Sequence, residues 1–454
     1  MVVFLRRWPW LLPGLALLGL FLYMTGPGLG GTSDSVHYLW AARSWRATGQ
    51  LLAPSGAPYR FWGPLYPLLL ATFFSPAGVR MLHGAALLAQ VALWGQLGRW
   101  LLPAGPAPWL PWLVALSTAV LVPAKFIWSE TVFGALGAVY FFALLAWGRS
   151  GRRGWLGLAT AAGFLLPLQR IAGFFLLVGA GVGLLVTGQW RAGRWRWLLG
   201  HWVGCAVGGL AWSYYAEVVA GPPLYQTARV WNALGSVADY GFVLARWFVP
   251  LAAGWRNLLP GLWAIFLPGI LFVLWPRKSG PQGPENAPAS TQSFTRHSLR
   301  LLWWVVLTVL AALLLATRAT RAAIGPDSAE RYCAALVGPV ALLALARWPS
   351  ADGGRLRWAG KARRWLGPVL LGGWLAYSAA RAGHNAQQQR HRPPMVWPAA
   401  PSATRAVGAL PGGRPDPGIA GWHPRASPQT TSCFMLPESR GVRIWNTIVG
   451  PSSG

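Results

Sequence analysis

Acidic residues are few enough in this sequence for each to be considered as a reactive group. The chain has 454 residues, with 39 Lys and Arg against only 10 Asp and Glu. Asp34 lies in the segment GGTSDSVHYLWAARSW, which predicts a short helix beginning near this residue. A carboxylate near a helix N-terminus stays ionised and can accept a proton from a hydroxyl group. The alternative is that Asp34 simply caps the helix.

The helix predicted from about Asp34 has an apolar side and a polar side. Residues at i, i+3 and i+4 form the apolar stripe expected of a helix at a membrane interface: Val36, Leu39 and Trp40. Asp34 and Tyr38 would share the opposite side, which faces water. His37 and Tyr38 are candidates to line a site there, although both residue types are also ordinary at an interface.

Glu130 is the second carboxylate of interest, because it stands at the start of an apolar stretch in FIWSETVFGAL. An ionisable residue at the boundary of a membrane span is costly unless it has a partner, which makes it a functional candidate. A structural salt bridge with Lys125, five residues earlier, is the equally weighted alternative.

The composition shows which elements must position these carboxylates. Hydrophobic residues make up 54% of the chain and charged residues only 11%, whereas soluble domains carry about 25% charged residues. The net charge of +29 would suggest nucleic acid in a soluble protein, but in an apolar chain it indicates Lys and Arg in loops on one side of a bilayer. The three cysteines are far apart, so they indicate neither a disulfide framework nor a zinc site.

A helix needs about 20 apolar residues to cross a bilayer. Eleven apolar stretches of the chain come near this length, so we predict eleven spans. The first is interpreted as a retained span rather than a cleaved signal peptide, since no small-residue cleavage site follows it. We therefore predict an all-α, polytopic transmembrane protein whose external first loop carries surface helices. The spans lie near residues 8–25, 81–99, 108–124, 128–147, 155–169, 171–188, 197–218, 257–275, 301–317, 333–347 and 365–380.

The stretch from Pro64 to Val79 is apolar but short, and it contains Pro67 and Pro76. If it crossed the membrane, every later loop would change side, and most of the Lys and Arg between spans would face outward, against the positive-inside rule. We therefore predict a helix that lies along the outer surface. This places the protein in the cell membrane with the N-terminus cytoplasmic and the C-terminus external.

The same analysis divides the chain into a membrane domain and a tail. Residues 1–380 form the predicted transmembrane domain, with an external catalytic loop at 26–80 and a flexible cytoplasmic linker at 277–300 that is rich in Pro, Ser and Gln. Residues 381–454 form an external C-terminal tail, with weak strand signals only near 442–449.

Several segments resemble the polytopic glycosyltransferases of the C superfamily, which include protein O-mannosyltransferases and aminoarabinose transferases. The first-loop segments SDSVHYLWAARSW and PYRFWGPLYPLLLA are similar to the family's acidic first loop and its Pro-rich continuation. FIWSETVFGAL resembles the second acidic position, while LQRIAGFFLLVGAG and ERYCAALVGPVALL resemble Arg-containing entries to later spans. The matching residues are Asp34, Tyr38, Ala42, Arg43, Pro64, Tyr66, Pro67, Glu130, Arg170, Arg331 and Tyr332.

The resemblance implies a donor that carries its sugar on a polyprenyl phosphate, with Asp34 and Glu130 as the catalytic carboxylates. A phosphate at the outer surface needs cations, and Arg is well shaped for bidentate contacts with it. The candidates at outer span ends are Arg60, Lys125, Arg170 and Arg331. For each, the alternative is snorkelling or a pair with a nearby acid such as Asp327 or Glu330. Residues expected to line the substrate are His37, Tyr38, Tyr66 and Tyr332.

The function expected from this resemblance is transfer of a sugar from the lipid-linked donor to an external glycan, lipid or protein acceptor, with inversion at the sugar. The absence of a Rossmann fingerprint disfavours a nucleotide-sugar donor, and no nucleic-acid partner is expected. No cofactor is implied; a divalent metal ion near Asp34 is compatible with the chemistry, although no ligand pattern indicates one. The alternatives are a lipid-sugar flippase or other transporter, which would place charges in mid-span, and a structural membrane subunit.

Overall fold

The computed structural model describes residues 9–60, 62–188, 195–220, 233–252, 254–276, 289–320, 326–348, 360–395 and 397. Contacts divide the chain into two units, Met1–Trp397 and Pro398–Gly454. Everything below concerns the first unit, because the second lies outside the described residues. The strand signals near 442–449 therefore also lie outside them.

The regular secondary structure of the described residues is helical. They contain no strands, and β-pairing is limited to the isolated bridges Gly30–Phe126 and Leu52–Pro58. The helices of the first half are α1 (Leu11–Thr25), α2 (Ser33–Thr48), α3 (Leu65–Thr72), α4 (Pro76–Leu101), α5 (Leu110–Ala115), α6 (Thr118–Lys125), α7 (Glu130–Ser150), α8 (Arg153–Gln169) and α9 (Ala172–Val186). Those of the second half are α10 (Trp195–Tyr214), α11 (Ala233–Arg246), α12 (Trp255–Leu258), α13 (Pro260–Leu274), α14 (Ala289–Thr320), α15 (Pro326–Cys333), α16 (Val337–Ala346) and α17 (Gly360–Arg390).

The helices agree with the predicted polytopic fold. Five helical segments are long and apolar enough to cross a membrane: Pro76–Leu101, Ala107–Lys125, Glu130–Ser150, Gln292–Thr317 and Ser328–Ala346. Three shorter helices are also apolar: Leu11–Thr25, Ala172–Val186 and Pro260–Leu274. Helix overlaps each of the predicted spans, so the all-α, multi-pass architecture is confirmed, while the count of eleven stays a prediction.

Helix α7 lies at the centre of the packing and is buried along most of its length. It packs against α4 on one side and α8 on another, and α8 in turn packs against α10. Helix α7 is terminated by Gly151, whose φ of +67° is a left-handed conformation that glycine adopts without strain. Farther along the chain, α9 packs against α14, and α17 packs against α1 and α6. Buried apolar residues of these helices form one continuous core.

The first loop differs from its predicted form between Pro64 and Val79. It contains the eight-residue helix α3, and a new helix begins at Pro76. Ser75 caps that helix by accepting a hydrogen bond from the Gly78 N–H at 2.9 Å. The cap and the proline at N1 explain why one apolar stretch is divided between the whole of α3 and the first turn of α4. Eight helical residues span about 12 Å, far less than the bilayer core.

Two other boundaries also differ from the sequence expectation. Helix α14 begins at Ala289, inside the predicted linker, and the residues of that linker that the structure describes are helical. Thr295, Ser298 and Leu299 are buried there, so packing explains why this polar segment is ordered. Helix α17 extends to Arg390, beyond the predicted end of the last span.

Candidate active site

Helix α2 brings Asp34 to the site through its N-terminus. Thr32 is the N-cap, and its backbone N–H donates to Ser35 Oγ at 3.1 Å. The Trp128 indole N–H donates to Thr32 Oγ1 at 2.7 Å and so fixes this end of the helix. Asp34 lies in the first turn. The interpretation of Asp34 as the cap is therefore wrong, and its carboxylate is available for other contacts.

Arg331 joins the two predicted catalytic carboxylates. Its Nη2 lies 2.5 Å from Asp34 Oδ2, and its Nε donates to Glu130 Oε1. Arg170 Nη1 lies 2.7 Å from the same Glu130 oxygen. We call Asp34, Glu130, Arg170 and Arg331 the acid–arginine cluster. Two carboxylates and two guanidinium groups from four distant segments thus form one compact group in which the charges balance.

Burial makes these contacts strong. The Glu130 side chain is only 3% exposed, and those of Arg170 and Arg331 are 12% and 17% exposed. A buried carboxylate without cations would carry a large desolvation cost, which the two guanidinium groups offset here. Glu130 is also the first residue of α7, where the helix dipole favours a negative charge.

Two of the specific ion pairs suggested as structural alternatives do not form, although Arg170 and Arg331 each pair with an acid. Glu130 pairs with Arg170 and Arg331 rather than with Lys125, whose Nζ donates to the carbonyl oxygens of Met24 and Gly28 at 3.1 and 2.8 Å. Arg331 does not pair with its neighbour Glu330, because that carboxylate accepts from Arg381 and from Thr118. The Glu330 contacts are 2.9 and 2.8 Å to Arg381 Nη2 and 2.6 Å to Thr118 Oγ1. The side chain of Asp327 lies outside the described residues.

Ser129 is a central residue that the sequence did not single out. Its Oγ accepts a hydrogen bond from Arg170 Nη1 at 3.0 Å and lies 3.1 Å from the Tyr38 hydroxyl. Its carbonyl oxygen accepts from Gln169 Nε2 at 3.0 Å. Ser129 immediately precedes Glu130, so this network holds the start of α7 against α2 and the end of α8.

Tyr38 is buried rather than water-facing, which corrects the predicted orientation of α2. The buried stripe consists of Ser35, Tyr38, Leu39 and Ala42, with Ala41 beside it. It is displaced by one residue from the predicted one, because the hydroxyl of Tyr38 finds a partner in Ser129 and its ring packs on Tyr66 with centroids 4.9 Å apart. Burial raises the pKa of Tyr38, so its hydroxyl stays protonated.

The remaining predicted lining residues form an aromatic wall beside the cluster. Tyr66 is buried, and its hydroxyl lies 2.8 Å from His83 Nε2. His37 is half-buried with its ring 5.8 Å from that of Trp62. Burial lowers the pKa of His37, and the negative charge of Asp34 opposes that shift.

Trp62 reaches this wall because Gly63 passes very close to the end of α8. A Cβ at Gly63 would lie 1.9 Å from the Leu168 carbonyl oxygen, so no other residue fits without a backbone shift. The Trp62 ring lies 5.1 Å from that of Tyr38. The close approach thus places the Pro-rich part of the first loop against the cluster.

A small cavity opens beside the acid–arginine cluster. Its charged lining residues are Glu130, Arg170 and Arg331, and its other walls are mostly apolar. Tyr332 also lines it and lies 6.0 Å from the Arg170 guanidinium carbon, measured to the ring centroid. Arg60 is half-buried at the end of the turn closed by the Leu52–Pro58 bridge.

Trp128 forms the floor under Arg331. The Arg331 guanidinium carbon lies 4.0 Å from the Trp128 ring centroid, and Trp128 stacks on Phe126 with centroids 4.4 Å apart. A cation on an indole face is a favourable contact that also fixes the guanidinium plane. The sequence offered only an abundance of Trp, so this residue could not be distinguished from the others.

No protein-family model and no curated protein sequence matches the chain. Among solved structures, it is similar to ArnT from Cupriavidus metallidurans bound to undecaprenyl phosphate, with a TM-score of 0.51 and 15% identity over 84% of this chain and 75% of that one. The apo state of the same ArnT gives a TM-score of 0.51 and 14% identity over the same shares. The chain has an ArnT-like fold. This likeness shows the fold, which agrees with the fold that the sequence resemblance predicted.

The ArnT-like fold carries no cluster of metal ligands in the part of the chain that the structure describes. No three His, Cys, Asp or Glu side chains there lie close enough together to hold a metal ion. Asp34 and Glu130 instead contact guanidinium groups. In this structure, guanidinium groups face both carboxylates.

Proposed function

We propose that this protein is a membrane glycosyltransferase that moves a sugar from a polyprenyl-phosphate donor to an acceptor outside the cell. The observation that carries the proposal is the bridge by which Arg331 joins Asp34 and Glu130 beside a largely apolar cavity. The ArnT-like fold supports it, and one of the ArnT structures is bound to undecaprenyl phosphate. The acceptor is an external glycan, lipid or protein.

The donor phosphate binds Arg170 and Arg331 in this proposal, with Arg60 as a further cation from the first loop. A guanidinium group has five N–H donors. The contacts within the cluster use Nε and Nη2 of Arg331 and Nη1 of Arg170. The other nitrogens can donate to phosphate oxygens, while the apolar walls of the cavity take the first part of the lipid chain.

Asp34 is the general base. The acceptor hydroxyl oxygen attacks the anomeric carbon, the bond from that carbon to the phosphate oxygen breaks, and the hydroxyl proton passes to the Asp34 carboxylate. The leaving phosphate keeps the bonding electron pair, and its charge is stabilised by Arg170 and Arg331. A single displacement of this kind inverts the configuration at the sugar.

Donor binding also prepares the base. In the structure, the Asp34 carboxylate is held by Arg331. A phosphate that takes hydrogen bonds from Arg331 weakens this contact and leaves a carboxylate oxygen of Asp34 open to the acceptor hydroxyl. Glu130 keeps both arginines in place during this exchange, and Tyr38, Tyr66, His37 and Tyr332 line the sugar and acceptor side.

The proposal is tested by incubating membranes that contain the protein with polyprenyl phosphates carrying different radiolabelled sugars. Transfer of label from the lipid to a water-soluble or differently migrating product is expected for one donor. Membranes without the protein are the control. A flippase would move the labelled lipid across the bilayer without changing it, so label that changes sides but stays on the polyprenyl phosphate would contradict the proposal.

A further inference from the structure

Four basic residues converge at the end of α1, away from the acid–arginine cluster. We call Arg80, Lys125, Arg390 and Arg392 the basic cluster. They come from α4, α6, α17 and the segment after α17, and the three arginines lie close enough to Lys125 for their charges to act on it. All four map to the side of the membrane that the sequence predicts to be external.

Carbonyl oxygens at the C-terminus of α1 accept hydrogen bonds from three of these cations and partly offset their charge. Lys125 Nζ donates to Met24 and Gly28, and Arg390 Nη1 donates to the Tyr23 carbonyl oxygen at 2.9 Å. Arg80 Nη2 donates to the carbonyl oxygens of Thr25 and Gly26. A helix C-terminus carries only about half a negative charge, so it does not balance four cations.

For three of these four cations, carboxylates do not supply the missing charge. Within the described ranges, no salt bridge joins Arg80, Lys125 or Arg390 to an Asp or Glu side chain. Arg80 also has a buried Nε without a hydrogen-bond partner. A buried N–H donor of this kind is costly, so the protein alone satisfies the Arg80 guanidinium incompletely.

The segment after α17 holds the cluster together. The Met395 N–H donates to the Leu29 carbonyl oxygen at 2.8 Å and fastens this segment to the loop after α1. Arg392 lies over the Phe126 ring at 6.0 Å, and Phe126 stacks on Trp128. Arg392 and Arg331 therefore lie over the two different rings of one aromatic stack, Arg392 over Phe126 and Arg331 over Trp128.

We propose that the basic cluster binds the phosphate group of an anionic phospholipid at the outer membrane surface. A group of cations at the end of a transmembrane helix attracts the negative charge of such a headgroup. This assigns Lys125 to a structural lipid rather than to the sugar donor. The inference does not depend on glycosyl transfer, and it holds or fails independently of the proposed function.

The test measures the unfolding temperature, Tm, of the purified full chain in neutral detergent. Dioleoyl phosphatidylglycerol is added as the probe, with dioleoyl phosphatidylcholine and inorganic phosphate as separate arms. A ligand that binds only the folded state raises Tm. We expect phosphatidylglycerol to raise the Tm of the wild type well above the value with phosphatidylcholine, and inorganic phosphate to have little effect.

The double variant Arg80→Gln with Arg390→Gln is expected to lose at least about half of that rise. The matched control, Arg99→Gln with Arg149→Gln, removes the same charge at the predicted cytoplasmic ends of α4 and α7 and should keep it. If the double variant does not fold, each single variant must lose part of the rise. A full rise in the basic-cluster variants, or an equal rise with inorganic phosphate alone, would overturn the proposal.

Discussion

Arg331 is the residue on which the chemistry of the candidate site depends most. It contacts Asp34 through Nη2 and Glu130 through Nε, so one planar group fixes the relative positions of both carboxylates. The Trp128 ring beneath it, at 4.0 Å, restricts the guanidinium plane. A lysine carries the same charge but presents it as a single point on a flexible stem.

Arg331→Lys is therefore expected to reduce sugar transfer by roughly tenfold or more while the protein still inserts and folds. The loss should appear largely as a raised KM for the donor, which steady-state assays at several donor concentrations would show. Arg149→Lys, on α7 over the Trp100 ring, is the matched control and should keep the wild-type rate. Wild-type kinetics in Arg331→Lys would contradict the role of the paired nitrogens.

His37 gives a prediction about pH. Burial lowers its pKa below 6.5, so in the folded protein the imidazole is neutral at neutral pH. As the pH falls below about 6.5, the unfolded chain takes up the proton first, and the folded state loses stability until the lower folded pKa is reached. Thermal unfolding between about pH 8 and pH 5 should show a smaller loss of Tm for His37→Gln than for the wild type. Equal losses would show that His37 does not titrate in this way.

For individual residues, the sequence identified the charged side chains of the site but could not show how they pair. Asp34, Glu130, Arg170 and Arg331 stood out because carboxylates are rare and four motifs resemble one family. Ser129 was missed, because a serine before a span gives no signal of its own. Its importance comes from Tyr38 and Arg170, which reach it from distant segments.

Among the helices, α15 is the element that positions the site most directly. Its consecutive residues Glu330 and Arg331 point about 100° apart, as helical neighbours do. Arg331 enters the acid–arginine cluster, while Glu330 is held by Arg381 of α17 and Thr118 of α6. The contacts of Glu330 with Arg381 and Thr118 thus anchor the helix that carries Arg331.

Glu330→Gln is expected to destabilise the protein by about 1–3 kcal/mol, since it leaves the buried Arg381 without its charged partner. The change should also shift α15, which carries Arg331, and so lower the rate of sugar transfer, although Glu330 does not contact the cavity. A double-mutant cycle with Arg381→Gln tests this: the double variant should lose little more than either single variant, in both Tm and rate. Additive losses would show that the two residues act separately.

The elements were predicted well where apolar length decides the outcome and less well where packing does. The helices of the spans overlap the apolar stretches because their length and composition leave no other stable form in a membrane. The face of α2 was misassigned by one residue, since hydropathy cannot show that the hydroxyl of Tyr38 has a buried partner. Residues 289–300 were assigned to a linker from their polar composition, yet three of them are buried against neighbouring helices.

For the whole molecule, the pairing within the cluster supports the predicted course of the chain. Between Asp34 and Glu130 the chain crosses twice, through α4 and the Ala107–Lys125 segment, if Pro64–Val79 stays at the surface. A further crossing would put the two carboxylates on opposite sides of the bilayer. Because Arg331 contacts both, they lie on the same side, and the short α3 agrees with this.

The absolute orientation follows from the positive-inside rule and can be measured by cysteine labelling. In a background without Cys205, Cys333 and Cys433, an exposed Thr48→Cys should react with a membrane-impermeant maleimide in intact cells. Arg152→Cys, exposed at the turn between α7 and α8, should react only after the cells are permeabilised. The reverse pattern would place the candidate site in the cytoplasm and contradict the external acceptor.

The central claim is that Asp34 is the base for sugar transfer, and single-turnover transfer from a labelled polyprenyl-phosphate sugar tests it most directly. Asp34→Asn is compared with wild type and with Glu217→Gln, which changes an exposed carboxylate on another helix. We predict that Asp34→Asn still binds the donor but transfers sugar at least about a hundredfold more slowly, while Glu217→Gln matches the wild type. Transfer by Asp34→Asn at the wild-type rate, at equal protein level, would contradict the account.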